Sequence, residues 1–170
     1  MFTHPATPHR MSYPPSDLFD PLFDRAQRLL AEGMPVPIVR VVLDCSQTKR
    51  EDGESADALA LRVAKLFCKT CWGRDTVIPE IYYYKPSAER NAKGWAMFSM
   101  HAKCIVVDGE IALVGSANFS DRARDRNLEV GALIRDHHFV QSLLAVWEDV
   151  EGELAVVPGE ELRAVIWSEG

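Results

Sequence analysis

The sequence SMHAKCIVVDGEIALVGSAN, residues 99–118, decides the fold. Two β-rich runs, 101–107 and 110–116, flank the dipeptide Asp108-Gly109. Asp-Gly between apolar runs is a strong signal for a β-hairpin, because a tight type I′ turn needs positive φ at both central residues. Both runs are apolar on both faces, which predicts central strands that are buried in a sheet.

The turn also predicts which side chains meet across this hairpin. With a two-residue turn, Val107 lies opposite Glu110 and His101 lies opposite Ser116. Directly opposed residues of two paired strands point to the same face of the sheet, and so does every second residue along each strand. Four polar side chains are therefore expected on one face at the open end of the hairpin: His101, Lys103, Ser116 and Asn118. A three-residue loop would break this pairing.

These four side chains have the chemistry to handle a phosphodiester. An imidazole can attack phosphorus, an ammonium group supplies positive charge, and a hydroxyl and a carboxamide can bind phosphoryl oxygens. A lone histidine on an apolar strand is more often a satisfied core residue. The expected convergence of four polar groups favours a functional site instead.

The same residues carry a resemblance to a known family. Their spacing resembles the HxKx4Dx6GSxN signature of the phospholipase D superfamily without a departure: His101, Lys103, Asp108, Gly115, Ser116 and Asn118. Six fixed residue types at about one in twenty each give a chance match on the order of 10⁻⁸ per starting position. The resemblance spans roughly residues 17–150 and is specific only over residues 101–129.

The resemblance implies a role for each matched residue. His101 would be the nucleophile that forms a phosphohistidine intermediate. Lys103 and Asn118 would hold the phosphoryl oxygens, with Ser116 in support. Glu129 matches a downstream glutamate of the family, which would accept the second imidazole N–H and orient the nucleophile.

Two further expectations concern the remaining motif residue and the partners. Asp108 lies in the turn, too far along the strand to touch phosphate, so its role is expected to be structural. No metal ion or other cofactor is implied. The family's reaction uses two histidines, and this chain carries one motif. The resemblance therefore implies a homodimer, or a second phospholipase D-like half, that completes the active site.

Composition sets the class of protein and its expected location. The chain has 170 residues, 47% of them hydrophobic, and a formal net charge of −6, so one domain is expected and bulk charge does not indicate a nucleic-acid binder. The four cysteines fit reduced thiols, and the single pair Cys68 and Cys71 does not complete a zinc site. With no signal sequence and no long apolar stretch, we expect a cytoplasmic protein without stable membrane association.

The rest of the chain predicts an α/β fold with a mixed β-sheet flanked by helices. Helices are expected at 17–33, from a Ser55 cap to about residue 73, and after an Asp136 cap, and strands at 38–44, 77–84 and 127–134. Residues 156–167 could add a short strand or a helix.

Residues 1–16 are expected to be a flexible arm before a domain over residues 17–170. The arm holds no convincing strand, although domains of the family usually open with one. We therefore expect either the C-terminal half of a two-motif protein or a chain that needs a partner to complete its sheet.

Local charge supplies candidate substrate contacts. Residues 85–126 carry seven Lys/Arg against five Asp/Glu, a local charge of +2, which indicates either a groove for phosphates or ordinary solvated loops. Loops at strand ends often carry specificity. The candidate contacts are Lys85, Arg90, Lys93, Trp95, Arg122 and Arg124.

Three functions remain open after the sequence. The first is a metal-independent nuclease that cleaves DNA or RNA, and a role in a bacterial defence system is compatible with it. The second is a lipid phosphodiesterase or phosphatidyltransferase, which no amphipathic membrane helix or apolar lip supports. The third is a non-catalytic module of a larger complex, against which the intact motif argues.

Overall fold

The computed structural model describes residues 19–72, 77–119 and 127–168. The predictions for the arm at residues 1–16, and for Arg122 and Arg124, lie outside the described residues.

The described residues confirm an α/β fold. The strands are β1 (Arg40–Leu43), β2 (Glu80–Tyr84), β3 (Cys104–Val107), β4 (Ile111–Gly115), β5 (Gly131–Ile134) and β6 (Leu154–Val156). The helices are α1 (Asp20–Ala31), α2 (Ala56–Phe67), α3 (Lys85–Ala88), α4 (His137–Asp149) and α5 (Gly159–Ser168). A π-helical turn (Cys68–Trp72) follows α2, and a 3₁₀ turn (Glu151–Glu153) precedes β6. The region left open in the sequence thus contains both a strand end and a helix.

Two helix starts follow from local capping. The Ser55 hydroxyl accepts a hydrogen bond from the Ala58 N–H at 3.1 Å, and the Asp136 carboxylate accepts one from the Phe139 N–H at 2.8 Å. Each cap satisfies a backbone donor that the first turn of a helix leaves without an intrahelical partner. Both predicted caps are confirmed.

The strands form two three-stranded sheets, where the sequence predicted one. In the first sheet, β1 pairs parallel with β2, and β2 pairs antiparallel with β6. In the second, β3, β4 and β5 are consecutive and antiparallel. The first sheet is therefore mixed, and the hairpin of residues 99–118 belongs to the second.

The largest hydrophobic cluster lies between the first sheet and helices α2 and α5. Its buried members are Cys45, Leu59, Ala60, Ala64, Cys68, Ile81, Tyr83, Ala88, Val157 and Leu162. Burial raises the pKa of the Cys68 thiol to about 12 and that of Cys45 to about 11, so both thiols stay protonated at neutral pH. This cluster supplies the platform on which the loops at the carboxyl ends of β1 and β2 are held.

Among the described residues, a helix covers the second sheet on one face only. Its inner face includes the buried Ala112 and packs near the buried Val140 of α4. We call the opposite side the outer face, and four apolar side chains on it are 40 to 60% exposed: Ile105, Val107, Leu113 and Leu133. The prediction that the hairpin strands are buried on both faces is therefore wrong for the described chain.

None of the helices in the described part of the chain has both the length and the apolar composition needed to cross a bilayer.

Candidate active site

The turn at the tip of the hairpin has the predicted backbone conformation. Asp108 has φ of 53° and Gly109 has φ of 70°, and the Glu110 N–H donates to the Val107 carbonyl at 3.0 Å. The two positive φ values are those of a type I′ turn. Asp108 therefore has the structural position expected of it.

The pairing beyond the turn differs from the prediction by one residue. Val107 pairs with Ile111, not with Glu110, so the loop has three residues and Glu110 is extra. Helix α4 contacts this loop: Glu110 lies 3.3 Å from the His137 Nδ1, and the Gln141 amide donates to the Gly109 carbonyl at 3.1 Å. The extra residue, Glu110, is thus contacted by helix α4, which is more than 25 residues away from it in the sequence.

The changed pairing separates His101 from Ser116. The Gly115 N–H donates to the Lys103 carbonyl at 3.0 Å, which places Gly115 opposite Lys103. Ser116 instead faces Val130, and its N–H donates to the Val130 carbonyl at 3.0 Å. The predicted opposition of His101 and Ser116 is wrong, and β3 begins only at Cys104, three residues after the histidine.

Ser116, Glu129 and Asn127 form a hydrogen-bonded group at the open end of the hairpin. The Ser116 hydroxyl donates to one Glu129 carboxylate oxygen, and the Asn127 amide donates to the other at 2.9 Å. The Ser116 oxygen also accepts from the Val130 N–H at 3.1 Å. The hydrogen bonds from Ser116 and Asn127 lower the pKa of Glu129, and the positive charge of Lys103 adds to the effect. Glu129 is therefore an ionised carboxylate at neutral pH.

Lys103 lies beside this group. Its side-chain ammonium donates to the His101 carbonyl at 2.8 Å, and it lines a small cavity of about 120 Å³ together with Glu129 and Gly115. Lys103 shares the outer face with Ile105 by the alternation of the strand. The polar group thus lies at one end of the exposed apolar face.

His101 and Asn118 are exposed, and among the described residues neither side chain hydrogen-bonds to the group around Glu129. The expected hydrogen bond from the imidazole to Glu129 is absent among the described residues, where the donors to this carboxylate are Ser116 and Asn127. The structure therefore brings Lys103, Ser116 and Glu129 together and leaves the His101 ring open to solvent. The sequence does not predict a role for Asn127, although Asn127 and Glu129 are two residues apart and alternate residues along an extended chain point to the same side.

Comparison with known proteins identifies the family. Residues 37–150 match the family model described as "Cardiolipin synthase, PLD-like domain". The chain belongs to the phospholipase D superfamily. A cardiolipin synthase of Listeria monocytogenes serotype 4a (strain HCC23) is 41% identical over 69 residues, which are 40% of this chain and 14% of that protein. Phospholipase D zeta 2 of Arabidopsis thaliana is 35% identical over 72 residues, which are 41% of this chain and 6% of that protein.

The match covers a small fraction of each phospholipase D relative, 14% and 6% of their lengths. No solved structure matches this chain.

The glycine of the phospholipase D signature has a steric reason in this structure. A Cβ on Gly115 would lie 3.1 Å from the Val130 carbonyl oxygen and 3.2 Å from the Gly131 Cα. Both atoms belong to the backbone of the chain that leads into β5. Gly115 thus permits the close approach that brings Ser116 to Glu129.

Two of the candidate substrate contacts hold the phospholipase D domain together. The Arg90 guanidinium donates to the carbonyls of Ser87, Cys45 and Thr48 at 2.7, 3.0 and 2.8 Å. The Lys85 ammonium donates to the Gly152 carbonyl at 2.8 Å. These donors are engaged by the backbone in the structure, and a substrate contact by Arg90 or Lys85 stays a prediction. Lys93 and Trp95 are exposed and stay candidates.

In the described part of the phospholipase D domain, no group of three His, Cys, Asp or Glu side chains is arranged to hold a metal ion.

Proposed function

We propose that this chain is a phosphodiesterase that cleaves nucleic acid through a phosphohistidine on His101, without a metal ion. The observation that carries the proposal is the convergence of Lys103, Ser116 and Glu129 beside an exposed histidine. The Lys103 ammonium can bind the negative oxygens of a phosphodiester, and the Ser116 hydroxyl can do so once its proton turns from the Glu129 carboxylate to the substrate. Membership of the phospholipase D superfamily supports the same chemistry.

In this proposal His101 attacks phosphorus with a ring nitrogen. The new N–P bond forms as the P–O bond to the leaving group breaks, and an acid protonates the leaving oxygen. Lys103 moves from the His101 carbonyl to the phosphoryl oxygens as substrate binds, and Asn118 adds a second donor. Water then attacks phosphorus and gives a proton to the base left when the acid protonated the leaving oxygen, and the N–P bond breaks, which releases the phosphate product and restores the imidazole.

The acid for the leaving oxygen is the His101 of a second copy of the chain in our proposal. The outer face supports this arrangement, because Ile105, Leu113 and Leu133 expose apolar surface directly beside Lys103. A twofold axis through this face would bury the apolar side chains and bring the two sites together. A second phospholipase D-like half on the same face would serve equally, and the oligomeric state of the isolated chain distinguishes the two.

A nucleic-acid substrate is supported by the loop of residues 90–96. The Asn91 side-chain oxygen accepts from the N–H groups of Lys93 and Trp95 at 2.9 and 3.1 Å, and the Asn91 N–H donates to the Trp95 carbonyl at 2.9 Å. This tight loop presents an indole that is 70% exposed next to a lysine, six residues before His101. An aromatic surface with an adjacent cation suits a base and its phosphate. A cytoplasmic location, where nucleic acid is abundant, is part of this proposal.

A phospholipid is the second candidate substrate. The sequence predicts no apolar lip, but Leu128 is 99% exposed next to Glu129, and Val130 and Phe98 are also exposed. Apolar side chains around a phosphate site can contact acyl chains. The two relatives described above carry the names of lipid enzymes.

One assay separates these functions. Purified wild-type protein and His101→Ala are incubated in excess EDTA with single- and double-stranded DNA, with RNA, and with phosphatidylglycerol vesicles. His138→Ala, an exposed histidine on α4, is the matched control. We expect nucleic acid to be cut by the wild type and by His138→Ala and to stay intact with His101→Ala. Turnover of the vesicles alone would favour the lipid reading, and cleavage by His101→Ala would refute the proposed chemistry.

A further inference from the structure

We propose that Asp44, at the carboxyl end of β1, is a positioning residue that holds the segment leading into His101. Its carboxylate accepts from the Ser46 hydroxyl at 2.5 Å and the Ser46 N–H at 3.2 Å. It also accepts from the Ser99 hydroxyl and the Met100 N–H, each at 3.4 Å. The Ser99 and Ser46 hydroxyl oxygens lie 3.0 Å apart and close the network. Met100 is the residue directly before the proposed nucleophile.

A turn-forming role accounts for only part of this network. An aspartate often hydrogen-bonds to the residue two positions later, and the Ser46 contacts fit that local pattern. Ser99 and Met100 lie 55 and 56 residues away in sequence, so their contacts join two separate parts of the fold. Asp44 follows a strand of the first sheet, and His101 precedes a strand of the second. The carboxylate is thus a link between the two sheets beside the proposed active site.

The segment needs such a link because, within the described part of the chain, only Lys103 of residues 99–103 makes a cross-strand backbone hydrogen bond, which its carbonyl accepts from the Gly115 N–H. β3 begins at Cys104, and residues 101–103 precede it without a regular ladder. The peptide at His101 has polar contacts on both sides: Asp44 binds the preceding N–H, and the Lys103 ammonium binds the His101 carbonyl. Each contact of 3.4 Å is weak by itself, but the negative charge of the acceptor strengthens all of them.

The loop that carries Asp44 and Ser46 is itself held firmly. Arg90 donates to the carbonyls of Cys45 and Thr48, and the Ser87 hydroxyl accepts from the Cys45 N–H at 2.9 Å. Ser87 and Cys45 are fully buried. Because Arg90 and Ser87 hold this loop in place, the Asp44 carboxylate has a fixed position from which it can hold Ser99 and Met100.

The inference rests on the proposed function, and Asp44→Asn tests it by kinetics. A displaced nucleophile slows the chemical step more than it weakens binding, so we expect kcat to fall by about 10-fold while KM changes by less than about 2-fold. Ser99→Ala is expected to lose part of this activity and to combine with Asp44→Asn non-additively. The control is Glu80→Gln, which removes a carboxylate of the same sheet that pairs with the exposed Arg40. Its kcat should equal that of the wild type.

A second readout does not depend on activity. Hydrogen exchange at the Met100 amide should be about 5-fold faster in Asp44→Ala than in the wild type, while the amides of Val106 and Ala112 stay unchanged. An unchanged exchange rate at Met100 would overturn the positioning role, whether or not kcat falls. A fall in kcat that matches only the loss of folded protein would overturn it as well. A wild type that cleaves no phosphodiester would refute the proposed function, and the exchange experiment would still decide the role of Asp44.

Discussion

Replacing Gly115 by alanine should damage both the second sheet and the proposed site. The added Cβ would lie 3.1 Å from the Val130 carbonyl oxygen and 3.2 Å from the Gly131 Cα. Those distances are several tenths of an ångström too short, and backbone atoms cannot rotate away as a side chain can. The chain at residues 130–131 must therefore move away from β4.

Moving residues 130–131 away from β4 lowers the free energy of unfolding, because it stretches two hydrogen bonds between Ser116 and Val130. The Ser116 N–H bond to the Val130 carbonyl, at 3.0 Å, and the Val130 N–H bond to the Ser116 hydroxyl, at 3.1 Å, both cross the widened gap. Inserting a methyl group into a well-packed site costs about 1–3 kcal/mol. We expect the free energy of unfolding to fall by this amount, which is roughly a 5- to 150-fold change in the folding equilibrium. Activity should fall further than the folded fraction, since Ser116 and Glu129 shift apart.

Urea denaturation followed by tryptophan fluorescence measures the stability, and the phosphodiesterase assay at a fixed folded fraction measures the activity. Gly152→Ala is the matched control, because a Cβ there meets nothing within 4 Å. We expect this control to behave like the wild type. If Gly115→Ala unfolds at the wild-type urea concentration and keeps full activity, the reasoning about the close approach of the two strands is refuted.

Three more predictions concern charge and association. Folding lowers the pKa of Glu129, so the ionised carboxylate contributes stability above the unfolded-state pKa of about 4.3, and this contribution is lost as pH falls through the lower folded value. Denaturation at a series of pH values should therefore show Glu129→Gln less stable than the wild type at pH 7. The difference in the free energy of unfolding between the two proteins should disappear in acid. Arg62 lowers the pKa of Glu54 to about 2. In the same measurement, the difference in the free energy of unfolding between the wild type and Glu54→Gln should therefore disappear between about pH 4 and pH 2. A difference that does not depend on pH would contradict the ion pair. Leu133→Glu places a charge on the outer face, and sedimentation should find this variant monomeric and the wild type dimeric at the same concentration; a wild-type monomer with full activity would rule out the shared site.

Local sequence signals predicted the features that local contacts determine. The Asp108-Gly109 turn and the caps at Ser55 and Asp136 depend on residues within a few positions of each other, and all three occur as expected. The pairing beyond the turn was wrong because Glu110 is an extra residue next to helix α4. The sequence of the hairpin alone contains no information about that helix.

Burial and polar partners were harder to predict for the same reason. Ile105 and Leu133 are as apolar as core residues, but the part of the chain that the structure describes covers only one side of their sheet. The sequence predicts Arg90 as a candidate substrate contact, whereas its guanidinium binds the carbonyls of a loop more than 40 residues away. Asp44 is the last residue of the predicted strand at 38–44, and its contacts with Ser99 and Met100 exist only in the folded chain.

The central claim is that His101 becomes covalently phosphorylated during the reaction. The most direct test mixes enzyme with a substrate carrying ³²P at the scissile phosphate, quenches the reaction with alkali within milliseconds, and maps the label by mass spectrometry of the peptides. We expect a label on His101 that is stable in alkali, is lost in acid, and is absent from His101→Ala. Product formation in the same samples with no label on any histidine would contradict it.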